Sequence, residues 1–476
     1  MPQKSVQHIV FKSKKWLFFA SFFIFFVFTI LFTTFVSYTC FNVLFMTDMF
    51  GNVSSGMTLL QKAEFCVVLI LSFSMPITWR ISAISLIMWL LMSFIRVFVE
   101  KKKTTMFMIK RRRWWFLLFA MYYVMHCVSM LYTENIPEGW DALEKKLSFL
   151  VLPFMFLVFD FSYLNCKNVS KLLWAYVLGV LAVVSCDLFS AAWDVAFRGV
   201  DVSRFFDISL SSEHHAYVSM HICLGIIVCF VELVLNAKGG KLLVTILLAL
   251  VVVLFTVATV LLSSRAGLLC LVAVYIFLFL WMIFGQKMYR TGLVTAIVAL
   301  VAVGVAVFAL PNAVSRVADT VKSVTSSEKN EDVRVTILRS TLPVACDNWL
   351  TGVGVGDKID AYMEQYRKDN NQIPLEREYN SHNQFVDTMA VTGILGLVLM
   401  LCFFVVPAVL AIRDRRFDVV FALFLFVIFF NALFESVFEK QAGIMFFVFF
   451  FVIMFNGNFV AEKETISPKA SDKDSE

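Results

Sequence analysis

The sequence predicts an all-α protein, a polytopic transmembrane helical bundle of about 12–13 spans with one large loop domain outside the cytoplasm. Composition is the first observation: of 476 residues, 60% are hydrophobic and 16% are charged, whereas soluble domains carry about 25% charged residues. The second is a series of apolar runs of roughly 20 residues, each long enough to cross about 30 Å of hydrocarbon as a helix. The third is a set of basic clusters between these runs, which is typical of cytoplasmic loops.

The basic clusters set the direction of each span, because loops rich in Lys and Arg stay on the cytoplasmic side. The clearest cluster is KKKTTMFMIKRRR at residues 101–113. With every cluster inside, the directions alternate and spans are predicted near 64–78, 81–99, 114–131, 147–164, 170–190, 215–235, 242–262, 266–285, 291–310, 384–411, 417–434 and 441–458. The earlier run 16–46 leaves the count open: it forms a hairpin, or 64–78 does not fully cross.

The same pattern divides the chain into five regions. The longest polar insertion, about 70 residues, is too long for a structureless connection in a compact bundle and is expected to carry the chemistry. The regions are 1–63, an N-terminal cytoplasmic or extra hydrophobic segment; 64–310, the first part of the bundle; 311–382, the large outer loop; 383–460, the last three spans; and 461–476, a disordered cytoplasmic tail.

Several classes of site and partner are disfavoured. The ten cysteines lie scattered, without a CxxC pair, and His214 with His215 has no third ligand at zinc spacing. The GVGVG run at 352–356 lacks the strand, helix and trailing Lys of a phosphate-binding loop, so a tight turn is predicted. The net charge of +6 reflects the basic inner loops. Membrane lipids are therefore expected around the chain, and no metal, cofactor or nucleic acid is predicted.

The strongest local pattern is SHNQFVDTMAVTGILGL, from Ser381 to Leu397. Ser381 with Gln384 fits a capping box, which predicts Ser381 as the N-cap of the next span and His382 in its first turn. Gly393 follows His382 by about three turns and lies on nearly the same face, where it and Gly396 permit close approach of a neighbouring helix or lipid. A neutral imidazole at this position suits a general base. The alternative is an ordinary interfacial histidine.

Arginines form the second group of candidates. Arg265 interrupts a long apolar stretch within SSRAGLL, which is costly unless its side chain lies at the interface or faces a polar cavity. It either binds a ligand or snorkels to lipid phosphates. Arg334 and Arg339 are five residues apart, about 140° around a helix, so only one of them is expected to face a ligand.

Further titratable residues fall at predicted outer span ends. Each is also explained by an interfacial anchor or a structural hydrogen bond. They are Lys145 with Lys146, His214 with His215, and Glu435 with Glu439.

Three of these patterns, in this order, resemble the O-antigen ligase and O-antigen polymerase superfamily of bacterial inner-membrane glycosyltransferases. His382 and Asn383, then nine residues, Gly393, two residues and Gly396 reproduce the pattern of the ligases. The SRAG turn at 264–267 and the Arg-rich segment before GVGVG are also similar, as are residues 129–153 and FESVFEKQAG near the end. Trp349 departs from the family, which usually has Pro before the GVG turn.

The resemblance implies a metal-independent, inverting transfer of a glycan from undecaprenyl diphosphate to an outer-leaflet hydroxyl, such as that of lipid A-core. His382 would be the general base. Arg265 with Arg334 or Arg339 would hold the diphosphate. The supporting residues would be Asn383, Gly393, Gly396, His215, Lys146 and Glu435. The protein would be a multi-pass protein of the bacterial inner membrane, with its active site facing the periplasm.

Other functions remain open at this point. Within the same superfamily, the acceptor distinguishes a ligase from a polysaccharide polymerase or a protein O-oligosaccharyltransferase, and the His-Gly pattern favours the ligase. A polysaccharide transporter or flippase would show charged or broken helices near the membrane midplane and repeated halves. The charged residues gather on one side instead, which favours an enzyme.

Overall fold

The computed structural model describes residues 57–100, 116–201, 204, 215–239, 242–262, 264–289, 333–413 and 418–465, with only the backbone for Lys238, Arg265 and 456–465. Helices are the only regular structure in this described part, which confirms the all-α prediction. The predicted spans 16–46 and 291–310 lie outside it, as do residues 1–56 of the N-terminal segment, 311–332 of the loop and the tail from 466.

The described part contains fifteen α-helices. They are α1 (Leu59–Ser74), α2 (Trp79–Glu100), α3 (Leu117–Ser129), α4 (Ile136–Lys146), α5 (Ser148–Val158), α6 (Cys166–Phe197), α7 (His215–Lys238), α8 (Leu242–Leu261), α9 (Arg265–Leu280), α10 (Val333–Asp347), α11 (Lys358–Lys368), α12 (Gln372–Glu376), α13 (Gln384–Arg413), α14 (Val419–Ala432) and α15 (Gln441–Thr465). A 3₁₀ turn at Met130–Tyr132 follows α3, and a π-turn at Trp281–Gly285 extends α9.

Six of these helices are long and apolar enough to cross a membrane: α2, α6, α7, α8, α9 with its π-turn, and α13. Three shorter apolar stretches lie at Leu117–Tyr132, Val419–Ala432 and Gln441–Phe455. The fold is therefore that of a multi-pass helical membrane protein. The total of 12–13 spans stays a prediction, because two of the predicted spans fall outside the described residues.

The predicted span 147–164 differs from the structure. Helix α5 ends at Val158, and Phe159 is extended, with φ −94° and ψ 151°. Asp160 then accepts a hydrogen bond from the backbone N–H of Ser162, and Asn165 caps α6 through the N–H of Asn168. These short polar side chains favour turns and caps over a continuous helix. At the other end of the chain, α15 continues past Ala461, where the tail was predicted to begin.

Helices α7 and α15 form the centre of the bundle. Helix α7 packs against α6, α8, α9 and α14, and every side chain of α15 from Ile444 to Phe455 is buried. Aromatic rings fill the space around α15: the Phe119 and Phe403 rings stack with centroids 4.4 Å apart, and Phe119 meets Phe451 edge-on at 4.8 Å. Because lipid is as apolar as these side chains, close packing and ring contacts hold such helices together.

Helix α13 is broken at Gly393, where the sequence predicts an unbroken helix. Gly393 has φ 64° and ψ −162°. The break separates the N–H of Ile394 from the carbonyl of Ala390, its ordinary helical partner. The turn at 349–354 replaces both partners, since the N–H of Ile394 donates to the carbonyl of Trp349 at 2.7 Å and the N–H of Val353 donates to the carbonyl of Ala390 at 2.7 Å.

The two glycines of the His-Gly pattern thus have different structural roles. A Cβ atom on Gly393 would lie 2.3 Å from the carbonyl oxygen of Leu350, so the 349–354 turn, and not the predicted helix or lipid, approaches this residue closely. A Cβ atom on Gly396 would instead lie 1.8 Å from Oγ1 of Thr392 in the same helix. The expectation that His382 and Gly393 share one helical face is wrong, because His382 precedes the helix and Gly393 itself is not helical.

The described part of the large loop, residues 333–382, is mostly helical. Helices α10, α11 and α12 pack together, and α10 and α11 also pack on the first turns of α13. Ile337 of α10, Tyr362 and Tyr366 of α11, and Val386 and Ala390 of α13 form one buried apolar cluster. The loop helices are therefore fixed to the start of α13.

Gly393→Ala is expected to lower the free energy of unfolding by about 2 kcal/mol or more, because it combines a left-handed backbone with a backbone clash. Thermal unfolding of the purified protein in lipid nanodiscs measures the change. Gly239→Ala is the matched control, since the nearest atom to a Cβ there lies 3.6 Å away. Equal stability of the two variants would contradict the role assigned to the break.

Candidate functional site

The turn between α14 and α15, residues 433–440, joins several helix ends at one end of the bundle. The hydroxyl of Tyr217, in the first turn of α7, donates to the carbonyl of Ser436 at 3.0 Å. The N–H of Phe438 donates to the side-chain oxygen of Gln384, the first residue of α13, at 2.6 Å. The helix ends that the sequence places on the outer side therefore meet at this turn.

A histidine and a carboxylate face each other beside this turn. Nδ1 of His382 lies 3.3 Å from Oε1 of Glu435. A carboxylate accepts the proton on Nδ1, which leaves Nε2 as the basic nitrogen of a neutral imidazole. The His382 side chain is 20% exposed and that of Glu435 is 9% exposed. The imidazole is thus accessible, while the carboxylate that orients it is shielded. The Tyr379 ring packs edge-on against the imidazole, with centroids 5.4 Å apart.

The capping prediction for this segment is wrong. Asn383 caps α13, since its Oδ1 accepts the backbone N–H groups of Phe385 at 3.0 Å and Val386 at 3.1 Å. Asparagine is as good an N-cap as serine, and here it lies directly before the first helical residue. His382 therefore precedes the helix and does not lie in its first turn.

The backbone at His382 is held in an unusual conformation. Its φ is 47°, in the left-handed region that non-glycine residues rarely adopt. The N–H of His382 donates to the side-chain oxygen of Asn380 at 3.1 Å, and the N–H of Asn383 donates to the hydroxyl of Ser381 at 3.1 Å. Local strain of this kind, about 1–3 kcal/mol, persists only where the surroundings determine the conformation.

A cluster of four charged residues lies next to this pair, and we call it the ion cluster: Lys146, Lys358 and Asp387, which are buried, and Glu439, whose side chain is 27% exposed. Nζ of Lys358 lies 2.6 Å from one oxygen of Glu439 and 3.5 Å from Asp387. Nζ of Lys146 lies 3.7 Å from the other oxygen of Glu439. Because α4, α11, α13 and the 433–440 turn each supply one member, the cluster ties four segments together.

The ion cluster also supports the histidine segment. Oδ1 of Asp387 accepts the hydroxyl of Tyr362 at 2.9 Å and the N–H of Ser381, directly before His382, at 3.4 Å. Glu439 lies four residues after Glu435 in the same turn. Lys358 contacts the carboxylates of Asp387 and Glu439. It therefore links the segment that carries His382 to the turn that carries Glu435.

Burial and charge pairing oppose each other within the cluster. Burial alone would raise the pKa of Glu439, but the two lysine ammonium groups outweigh it and hold this pKa well below its usual value. Burial lowers the pKa of Lys358, but Asp387 and Glu439 outweigh it and raise this pKa overall. Burial lowers the pKa of Lys146 more than Glu439 restores it. Lys358 and Glu439 therefore form a charged pair at neutral pH.

The two loop arginines lie in α10 and point in different directions. The buried side of α10 centres on Ile337, which packs toward α11 and α13. Arg334 lies about 60° from this direction and Arg339 about 160° from it. Arg334 is half-buried and Arg339 is exposed. Arg334 thus lies beside the face that meets the start of α13, and Arg339 lies on the opposite face.

The start of α9 also reaches this end of the bundle. Helix α9 begins at Arg265, whose side chain lies outside the described part, and Ser264 caps it through the N–H of Gly267. A Cβ atom on Gly267 would lie 2.6 Å from the hydroxyl of Ser219, so the first turns of α7 and α9 pack closely. Nδ1 of His215 lies 3.1 Å from the carbonyl of Leu262, a structural hydrogen bond at the end of α8.

Lys358 and Asp387 were not predicted as site residues, and Glu439 was noted but not selected. Their signal in the sequence is weak. Asp387 is the only charged residue between Glu378 and Arg413, and a carboxylate within an apolar helix requires a partner. Lys358 belongs to a polar segment with many charges, so only the folded chain distinguishes it.

Residues 250–401 match a protein-family model described as O-antigen ligase. The match includes Arg265, Arg334, His382 and the glycine pair, and it ends before Glu435. It supports the resemblance to the O-antigen ligase superfamily and indicates a glycosyltransferase of the ligase or polymerase type, which uses a lipid-linked glycan and an acceptor. No match to a curated protein was found.

Lys358→Met is expected to lower the free energy of unfolding by about 3–5 kcal/mol, because it leaves the buried Asp387 without the ammonium group beside it and removes the nearer of the two lysines at Glu439. Lys368→Met on the same helix is the control. Lys368 pairs with Glu364, but both side chains are more than 60% exposed, so the loss of this pair is expected to cost far less stability than the loss of Lys358. Similar thermal unfolding of the two variants in nanodiscs would show that the cluster does not stabilise the fold.

Proposed function

With the match to the O-antigen ligase family as the premise, we propose that this protein transfers a glycan from undecaprenyl diphosphate to a hydroxyl of lipid A-core or a similar outer-leaflet acceptor. The protein would lie in the bacterial inner membrane, with the site open to the periplasm. The observation that carries the proposal is the pairing of His382 with Glu435 at the helix ends of a membrane bundle.

His382 has the features that a general base requires. With Glu435 accepting the Nδ1 proton, Nε2 is the basic nitrogen, and the side chain that carries it is 20% exposed. In the proposed step, Nε2 takes the proton of the acceptor hydroxyl as its oxygen forms a bond to the anomeric carbon. The bond from that carbon to the diphosphate oxygen breaks, and its electron pair leaves with the diphosphate. Attack opposite to the leaving group inverts the anomeric centre.

Arginine side chains would bind the leaving diphosphate. A guanidinium group forms two parallel hydrogen bonds to phosphate oxygens and offsets the charge that develops on them. Arg265 is the first candidate, because it begins a helix at the end of the bundle that holds His382. Of the two loop arginines, Arg334 is the better candidate because of its position on α10. The resemblance implies that this chemistry needs no metal ion.

His382→Ala is expected to lower the rate of transfer by about 10²–10⁴-fold, the usual contribution of a general base. The assay uses purified protein in nanodiscs with undecaprenyl-diphosphate-linked glycan and lipid A-core. Glu435→Gln is expected to reduce kcat less, by about tenfold or more, because the amide no longer enforces one imidazole tautomer. Glu364→Gln, at an exposed carboxylate, is the control.

Three outcomes would contradict the proposal. Near-normal transfer by a folded His382→Ala variant would remove the histidine from its assigned role. Extension of the lipid-linked glycan itself, with no product on lipid A-core, would indicate the polymerase. In reconstituted vesicles, movement of the glycan lipid across the bilayer without any transfer would support a flippase.

Arg334→Ala is expected to weaken donor use much more than Arg339→Ala, because only Arg334 lies beside the face of α10 that meets α13. We expect kcat/KM for the donor to fall by about tenfold or more, as for loss of a charge-assisted hydrogen bond. Arg334→Lys should recover little of the lost kcat/KM, since lysine lacks the planar fork of the guanidinium group. A larger loss for Arg339→Ala would reverse the assignment.

A further inference from the structure

Four large side chains are exposed where the end of α3 meets the 349–354 turn. They are Leu131, Tyr132, Trp349 and Leu350, with exposed fractions of 85%, 41%, 54% and 58%. The hydroxyl of Tyr132 donates to the carbonyl of Thr351 at 2.6 Å, which joins the two segments into one surface. We call these four residues the apolar tip.

A hydrogen bond to α13 fixes the position of the apolar tip along that helix. The N–H of Ile394, directly after the break, donates to the carbonyl of Trp349. From Ile394 the helix continues for twenty residues to Arg413, the first charged residue after Asp387. Twenty helical residues span about 30 Å, the thickness of the hydrocarbon core. If Arg413 marks one surface of this core, the tip lies at the other.

The apolar tip also continues two exposed apolar stripes. On α13, Leu395 and Val398 are 58% and 49% exposed and follow the break directly. On α3, Val124 and Val128 are 51% and 44% exposed and lead up to Leu131. Each set is spaced by three or four residues and so occupies one side of its helix. Since α3 packs against α13, the two stripes are neighbours that end at the tip.

We propose that the apolar tip is inserted into the bilayer interface, between the lipid headgroups and the acyl chains. Trp and Tyr rings favour this zone because each has an apolar body and one polar group. Lipid would cover the side chains of Leu131 and Leu350, which water would otherwise surround. Helices α10–α12 would then rest on the membrane surface, and His382 would lie within about 15 Å of the hydrocarbon boundary.

Photo-crosslinking in lipid nanodiscs tests this surface without reference to any activity. p-Benzoylphenylalanine replaces Leu350 in the full chain, and lipid adducts are measured by mass spectrometry after irradiation. Val405 of α13, 55% exposed in the middle of the span, is the lipid-facing reference. Glu364 of α11, whose side chain is 65% exposed, is the reference on the charged face of a loop helix.

The adduct yield at position 350 is expected to match that at 405 and to exceed that at 364 by about tenfold, because the first two positions contact acyl chains and the third contacts water. A yield at 350 as low as that at 364 would overturn the proposal. Adducts of position 350 with a second copy of the chain, in place of lipid, would also overturn it and would identify the tip as a contact between copies.

Discussion

The end of the bundle that carries His382 depends on the pairing of one buried ammonium group. Lys358 lies between Glu439 and Asp387, and all three are held largely away from water. A charge in such surroundings is tolerated only beside an opposite charge, so the segments that carry these residues must come together. Asp387 in turn holds the backbone before His382, and Glu439 belongs to the turn that carries Glu435. The geometry of the imidazole and its carboxylate therefore follows from the pairing of Lys358.

The break in α13 determines the position of this end of the bundle relative to the membrane. Gly393 releases one helical hydrogen bond, and the 349–354 turn supplies both replacement partners. As a result, the turn that follows α10 is hydrogen-bonded to a transmembrane helix at the start of its longest apolar part. A reacting group fixed to such a frame can meet a substrate whose lipid tail stays in the bilayer, with its polar part at the surface. The hydrogen bonds at the break thus help to position both the polar surroundings of His382 and the apolar tip.

Individual residues show which structural features the sequence patterns can predict and which they cannot. The location of His382 just before a long apolar helix was predictable, because an apolar run of this length indicates a membrane helix. Its cap was mistaken, since Ser381 and Asn383 are both good N-caps and only the backbone path decides between them. The break at Gly393 was not predicted, because a glycine inside an apolar run is also common in unbroken membrane helices. The partner of that break is more than 35 residues away in sequence.

The sequence by itself determined that the protein lies in a lipid bilayer, that it is all-α and that few polar residues are available for chemistry. Composition and periodicity indicate burial in lipid directly. The tertiary structure alone decided which of these residues act together. It paired His382 with Glu435, brought Lys358 to Glu439 and turned Arg339 away from the face that Arg334 flanks. The physical reason is that each choice depends on the packing of helices distant in the chain, which no local pattern of residues records.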